Sequence, residues 1–372
     1  VAELMQVLVV NAGSSTLKLR HLDSADNVLG ECDIDPWAGE HDTAALERFL
    51  DDLNQVDAVG HRVVHGGDRF LGPVRLDDRV LGELTELIDL APLHQPRALS
   101  AIRAVSARLP EVPAVACFDT AYHTTLPAAA ATYALPRVWR ERWPIHRFGF
   151  HGLSHAYGAR RASDLIGRPL AETRIVTCHL GAGASLCATD RGRSVDTTMG
   201  FTPLEGLVMA TRSGSVDPGL VCWLVEHGGM TIPEVAHGLE HDAGLAGLSG
   251  GTGDMRDVIG ALDRGHEAAR LAFDVYVHRL RREIGAMVTS LDRLDALVFT
   301  GGIGEHQPRV RHAAVTGLGP LGLTIDDDIN AETTTDREVS PPGAEPRVLV
   351  VTAREDLEIS AQVRRVIQAH SG

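Results

Sequence analysis

The sequence predicts an α/β fold built as two domains. Three observations carry that expectation. The chain has 372 residues, more than one domain usually holds. Short apolar runs such as Val7–Val10 alternate with segments of helical spacing, the pattern of strands interleaved with helices. "VLVVNAGSSTLK" near the start and "IVTCHLGAGASLC" near the middle share a strand–glycine–small–strand plan. That likeness reads either as a weak internal duplication or as two hairpins alike by chance.

The elements follow in order. "QVLVV" (6–10) is an apolar strand, "LKLRHLD" a second, and Val28–Ile34 a third. "DAVGHRVVHGG" (57–67) begins as a strand and ends in a glycine turn. Pro96 suits the first residue of a helix, where its missing N–H loses nothing. Leu99, Ile102, Val105 and Leu109 then recur at helical spacing. "PAVACFDT" (113–120) is a buried strand with a polar end. Residues 174–200 read as strand, glycine turn, strand, turn, strand. A long helix spans 267–291, with Leu271, Val275, Leu280, Ile284, Met287 and Leu291 on one side. "DALVFTGGIGE" (295–305) is a strand ending in glycines, and "PRVLVVTARED" (346–356) is a last strand before a closing helix. "DDDIN" (326–330) and "SPPGAEP" (340–346) have the composition of surface loops.

Composition narrows the function. Apolar content of 44% and charged content of 23% suit a soluble globular protein. The net charge of −15 argues against nucleic acid and anionic membranes as partners, because both call for a basic field. No apolar run reaches the length of a membrane span. Five cysteines without CxxC spacing read as reduced thiols and point to the cytoplasm.

Several segments are placed to carry chemistry. In "NAGSSTLK" (11–18) the side chains of Asn11, Ser14, Thr16 and Lys18 offer donors, and Gly13 lets an anion approach the backbone. It lacks the GK[ST] ending and the helix of a Walker loop, and a polar β-turn is the plain alternative. "GHRVVHGGDRF" (60–70) sets Arg62 beside histidines and a glycine pair. His151 and His155 are one helical turn apart, a zinc-pair spacing, but the HExxH glutamate is absent because Gly152 follows His151. Anion donors or satisfied core histidines fit better. Arg212 lies in a glycine-bearing polar loop, and the "TGGIGE" glycines (Gly301, Gly302 and Gly304) follow a strand. Asp119 and Glu355 stand at two strand ends as carboxylates for Mg²⁺. Taken together, glycine turns, arginine loops and a few carboxylates suit phosphoryl transfer, where positioning and charge neutralisation supply most of the catalysis.

"NAGSSTLK", "GHRVVHGG", "FDTAYH", "RFGFHGLSH", "GFTPLEGL", "TRSGSVDPG", "TGGIGE" and "TAREDLEI", in this order from residue 6 to about 361, together resemble the acetate kinase family. The resemblance implies two actin-like ATPase domains of ribonuclease-H-like topology, each a mixed five-stranded sheet flanked by helices, around a nucleotide cleft. It implies a first domain of 1–121 plus 356–372, and a second of 125–355 with the nucleotide site and a homodimer interface. It implies ATP and Mg²⁺, with Mn²⁺ as a substitute, and a short carboxylic acid as acceptor.

The same resemblance assigns roles. Arg62 and Arg212 would clamp the acyl carboxylate and the moving phosphoryl group, and His151 would donate to that group. Asp119 and Glu355 would act on Mg²⁺ and its waters, with Asn11 beside the metal. Val64, Leu93, Phe150 and Pro203 would form the acyl pocket. Asn11, Ser14, Thr16 and Lys18 would make the first phosphate loop. His179, Leu180, Gly181, Ala182, Gly183 and Ser185 would make the second. Asp254, Met255, Arg256, Gly301, Gly302, Ile303 and Gly304 would lie along the adenosine. The chain departs from the family pattern at Ala182, Gln95 and His306, each in place of Asn, and at Met255 in place of Phe. Ala182 removes a donor to phosphate, worth about 0.5–1.5 kcal/mol for an ordinary hydrogen bond.

The chemistry agrees with that implication. Acetate is ionised at pH 7 and needs no general base, only relief of repulsion between two anions. A sugar kinase has to deprotonate a hydroxyl, and Asp119 is the one candidate base. Phosphorylation of propionate or butyrate is the nearest rival, since a methylene changes binding by only about 1–3 kcal/mol. A non-catalytic actin-like nucleotide binder is the rival of another class.

Overall fold

The computed structural model describes residues 5–13, 16–37, 39, 43–92, 94–333 and 335–369. The chain divides into two compact units. One holds the residues up to Thr124, Phe150–Tyr157 and those from Arg354 on; the other holds Thr125–Gly149 and Gly158–Ala353.

In the first unit, β1 (Val7–Ala12), β2 (Leu17–Leu22), β3 (Val28–Ile34), β4 (Ala58–Val63), β5 (Val74–Arg75) and β6 (Ala114–Phe118) form one sheet in the order β3-β2-β1-β4-β6-β5. β1, β2 and β3 are antiparallel neighbours, and β4 and β6 run parallel to β1. Apolar side chains alternate across the pleat, so both faces of β1 are filled. On one face the helix Gln95–Arg108 brings Ala101 and Val105 against Leu8, Val10 and Val59. On the other, the closing helix Glu355–Ala369 brings Ile359 and Val363 against Val7, Val9 and Ala58. Gly60 makes that second contact possible. A Cβ there would lie 2.5 Å from Ile359 Cγ2 and 2.7 Å from Val363 Cγ2.

In the second unit, β7 (Arg174–Leu180), β8 (Ala184–Asp190), β9 (Arg193–Thr197), β10 (Ala296–Thr300), β11 (Arg337–Glu338) and β12 (Arg347–Val350) repeat the plan in the order β11-β12-β10-β7-β8-β9. Again three antiparallel strands adjoin two parallel ones. The duplication that the sequence hinted at is therefore a duplication of topology. The resemblance implied five strands in each sheet; there are six. In both sheets the sixth is a two-residue edge strand, β5 or β11, antiparallel to the last long one.

Three expectations are corrected by packing. The long helix runs Glu267–Thr289, and its buried stripe is Ala269, Ala272, Phe273, Tyr276, Val277, Leu280, Ile284 and Met287. That stripe steps by three and four residues. Leu271 falls off it and is 55% exposed. The strand read over 295–305 stops at Thr300, and its glycines open a helix, Gly301–His306. "DDDIN" is the start of the helix Asp327–Glu332, whose cap Asp326 accepts from the Ile329 N–H. The five cysteines are free, and no described helix is long and apolar enough to cross a membrane.

Candidate active site

In the first unit, polar side chains gather at the carboxyl ends of the parallel strands. Arg62 is the penultimate residue of β4, and Asp119 follows β6 directly. Arg62 Nε donates to both Asp119 carboxylate oxygens at 3.1 and 3.2 Å, and one Nη donates to Oδ2 at 2.6 Å. Its other Nη donates to Asn11 Oδ1 at 3.2 Å. The Asn11 amide in turn donates to Glu355 Oε2 at 2.8 Å. Asp119 is only 1% exposed. Burial works against the Arg62 charge, but the carboxylates of Asp119 and Glu355 outweigh it, so its pKa stands above the ordinary value. The result is an arginine whose fork is fixed by compensating charge before any ligand arrives.

His151 joins this group through the backbone. It holds a φ of 57°, a left-handed conformation uncommon outside glycine. The next residue explains why it persists. Gly152 N–H donates to the Asp119 carbonyl at 2.9 Å, and a Cβ at 152 would sit 2.2 Å from that oxygen. Only glycine lets the chain pass so close, and that approach sets His151 at the mouth of the helix Gly152–Ile166.

Glycine turns shape the second unit. Gly181-Ala182-Gly183 is the loop of the β7–β8 hairpin, closed by Gly181 N–H to Gly183 O at 3.0 Å, and Ala182 O accepts from Ala210 N–H. Gly181 and Ala182 line a cavity of about 540 Å³ together with Ala210, Gly253, Asp254, Met255, Arg256, Gly302, Ile303, His306 and Gln307. That volume lies in the range of small-molecule sites. Gly302 presents open space where a Cβ would stand. Gly301 and Gly304 serve packing instead: Cβ atoms there would lie 2.9 Å from Leu180 O and 3.3 Å from Phe299 C. Asp254 caps the helix Met255–Asp263 and holds Arg256 through three hydrogen bonds. The hydrogen bond from Arg256, with one from its backbone, keeps the Asp254 carboxyl below its usual range.

Arg212, also in the second unit, has a different environment. One Nη donates to Pro203 O at 2.6 Å; among the described residues its guanidinium has no other hydrogen bond and no ion pair. Burial lowers its pKa, and the Glu240 carboxylate acts in the opposite sense without overcoming it. The loop is held rigidly, with Arg212 O accepting from Met209 N–H and Gly244 leaving no room for a side chain against Met209 O and Arg212 O. A half-buried cation without a carboxylate is a ready partner for an anion.

The expected residues fall into these groups. Asn11, Arg62, Asp119, His151 and Glu355 come together in the first unit. Glu355 opens the closing helix rather than ending a strand, since β12 stops at Val350. Val64 and Phe150 are buried in the same unit, with Phe150 edge-on to His65 at 5.5 Å. Lys18 is exposed on β2 opposite Asn11, and Thr16 closes the β1–β2 turn by accepting from Gly13 N–H at 2.7 Å. Ser14 and Leu93 lie outside the described residues. In the second unit, Gly181, Ala182, Asp254, Met255, Arg256, Gly302 and Ile303 share the cavity; Leu180, Gly183, Ser185, His179, Gly301 and Gly304 do not line it. His179 and Ser185 face each other across β7 and β8. Ala210, Gly253 and Gln307 line the cavity without having been expected there, and none carries a residue type that signals a site. Among the described residues no three His, Cys, Asp or Glu side chains gather as metal ligands.

Comparison with known proteins gives the same direction. The family model described as the acetokinase family matches residues 34–361. An acetate kinase of a Synechococcus species is 48% identical over 89% of this chain and 80% of its own length. An acetate kinase of Nostoc punctiforme is 40% identical over 98% of this chain and all of its own. Among solved structures, Porphyromonas gingivalis acetate kinase matches with a TM-score of 0.91 at 33% identity, covering 98% of this chain and 100% of that one. A propionate kinase from Francisella tularensis matches with a TM-score of 0.90 at 31% identity, covering 97% and 100%.

Proposed function

The chain belongs to the acetokinase family, and from that premise we propose that it transfers the γ-phosphoryl group of ATP to the carboxylate of acetate, reversibly, giving acetyl phosphate and ADP. The duplicated sheets are the two actin-like α/β domains of that family. The observation that carries the reading is the pair of arginines, Arg62 held by Asp119 and Asn11, and Arg212 desolvated without a carboxylate. A reaction between two anions needs fixed positive charge more than it needs a base.

In this reading an acetate oxygen attacks the γ-phosphorus in line while the bond to the β-phosphate oxygen breaks. The acetate brings its own electron pair and no proton moves, so Asp119 has no base to be. It holds Arg62 instead. Arg62 and Arg212 bind and orient the carboxylate and the phosphoryl oxygens, and His151 donates to the transferring group. Val64 and Phe150, both buried in the first unit, exclude water around the methyl group. Gly181, Ala182 and Gly302 let the nucleotide approach the main chain, with Asp254, Met255, Arg256 and Ile303 along the adenosine. We assign the nucleotide site to the domain of residues 125–355.

The donor set fits Mg²⁺. That ion takes one or two carboxylates and fills its shell with water and phosphate oxygens, and Glu355, oriented by the Asn11 amide, is such a carboxylate. Glu355 and Asn11 would hold it. When bound, Mg²⁺ supplies charge neutralisation to the phosphates.

Two further assignments belong to this reading. The helix Pro218–Glu226, "PGLVCWLVE", is almost wholly apolar yet has no buried residue. Trp223 on it is 54% exposed and Ile232 just beyond it 72%, which supports a homodimer seated on this face. Free cysteines and an acidic surface support the cytoplasm as its compartment. The likeness to a propionate kinase favours a second reading, the same transfer to propionate. Trapping the acyl phosphate with hydroxylamine, using Mg-ATP and acetate, propionate or butyrate in turn, tests both. Product with acetate in preference is expected; product with propionate in preference selects the second reading, and no product with any acid rejects the kinase.

A further inference from the structure

Arg212 is seated on a carbonyl, and a carbonyl is only as well placed as the chain that carries it. Pro203 lies in an irregular strap, residues 198–206. The strap leaves β9 at Thr198, which is tied to β8 by its N–H to Leu186 O at 3.1 Å and by Leu186 N–H to its Oγ1 at 2.9 Å. It ends at Gly206, which exchanges two hydrogen bonds of 3.0 Å with Ser215, three residues beyond Arg212. Its middle is tied by main chain at Gly200, whose O accepts from the Phe148 and Gly149 N–H groups at 3.1 and 3.3 Å; beyond that the side chains hold it. There the carboxylate of Glu205 takes over. One oxygen accepts from the Tyr133 hydroxyl at 2.5 Å and the other from Arg147 Nη at 2.9 Å.

Both partners also grip the strap's main chain. The Tyr133 oxygen accepts from Phe201 N–H at 2.8 Å. The second Nη of Arg147 donates to Thr198 O and Met199 O at 3.2 and 2.9 Å, while its guanidinium lies 5.6 Å above the Tyr133 ring. Gly200 is cut to fit: a Cβ there would lie 1.7 Å from Glu205 Oε2 and 2.1 Å from the Tyr133 oxygen. Burial and the Glu205 contact raise the Tyr133 pKa above its ordinary value, so the phenol remains a donor across the working range of pH.

We propose that Glu205, clamped between Tyr133 and Arg147, is a positioning residue that sets the Pro203 carbonyl and through it the guanidinium of Arg212. Both Glu205 oxygens are engaged, one by Tyr133 and the other by Arg147. It acts on the strap, the strap on Pro203, and Pro203 on the arginine. The inference rests on the kinase reading for its consequence in catalysis, but not for its geometry.

The test compares Y133F and E205Q with the unaltered full chain. Y133F removes one donor to Glu205 and the acceptor of Phe201 N–H while keeping the ring. E205Q keeps the shape and removes the charge that Arg147 answers. Both are expected to lower kcat/KM for acetate by tenfold or more, leaving KM for ATP within about twofold and the melting temperature nearly unchanged. Parallel losses in both substrates together with stability would mean a merely structural role and overturn the proposal, as would unaltered kinetics. A crystal structure of Y133F gives the readout that does not depend on activity. Arg212 displaced from Pro203 O supports the proposal even if no acyl phosphate is ever formed; Arg212 still seated there overturns it, whatever the fate of the kinase reading.

Discussion

The two arginines differ in what answers their charge. In the first unit Arg62 is met by Asp119 and, through Asn11, by Glu355. In the second, Arg212 is met by one carbonyl. In the proposed reading, the difference separates two ways of holding a cation for an anionic substrate. One spends protein carboxylates on rigidity, and its charge is already compensated in the free protein. The other leaves the charge under-compensated, so that a ligand completes it. Breaking the first arrangement strands a buried carboxylate, whereas removing the second relieves a desolvated charge.

Removing each arginine is the strongest way to break that contrast. Arg62→Ala should abolish most turnover and also destabilise the protein by about 3–5 kcal/mol, because Asp119 is left buried without its partner. Arg212→Ala should lower turnover by about 10²–10³-fold while leaving the melting temperature unchanged or raised, because a desolvated charge disappears. Turnover and thermal melts on the two variants check both statements. Equal losses of stability would remove the distinction.

A pH titration sharpens the first half. His61 precedes Arg62 on β4, so its side chain points to the opposite face. It is 1% exposed, and among the described residues neither ring nitrogen has a hydrogen-bond partner. Burial depresses its pKa to about 3. Above the ordinary histidine value both folded and unfolded chains leave it neutral. As pH falls from about 6.5 towards 3, the unfolded chain takes up a proton that the folded one refuses, so stability declines. Denaturant melts at pH 7 and 5 should show this decline, and His61→Leu should flatten it. One strand thus admits a charge on the face where carboxylates answer it and refuses one on the other.

How far the sequence reveals this arrangement depends on the range of the signal. The third strand is legible to the residue, Val28–Ile34, because its ends are local. The duplicated glycine hairpins are legible because a tight turn restricts residue type. The two-residue strands β5 and β11 are not, since two residues carry no period. Leu271 misleads because apolar identity was read in place of the three-and-four stepping that Phe273 and Tyr276 obey. Arg62 and Asp119 are each visible as polar strand ends, but their pairing across 57 positions is a property of the parallel register of β4 and β6. The Tyr133–Glu205–Arg147 clamp gives no local signal at all: a tyrosine, a glutamate and an arginine become one device only when the strap folds over them.

The smallest expected effect concerns Ala182 in the cavity of the second unit. Ala182→Asn places an amide in that cavity and, in the proposed reading, should lower KM for ATP by about two- to tenfold, corresponding to about 0.5–1.5 kcal/mol. A higher KM would count against placing phosphate at the β7–β8 loop.

The central claim, reversible phosphoryl exchange between ATP and a carboxylate, is tested most directly by following phosphorus NMR of the purified chain with Mg²⁺ from both sides. The account predicts acetyl phosphate from ATP plus acetate, and ATP from acetyl phosphate plus ADP. Release of inorganic phosphate alone, without either product, would contradict it.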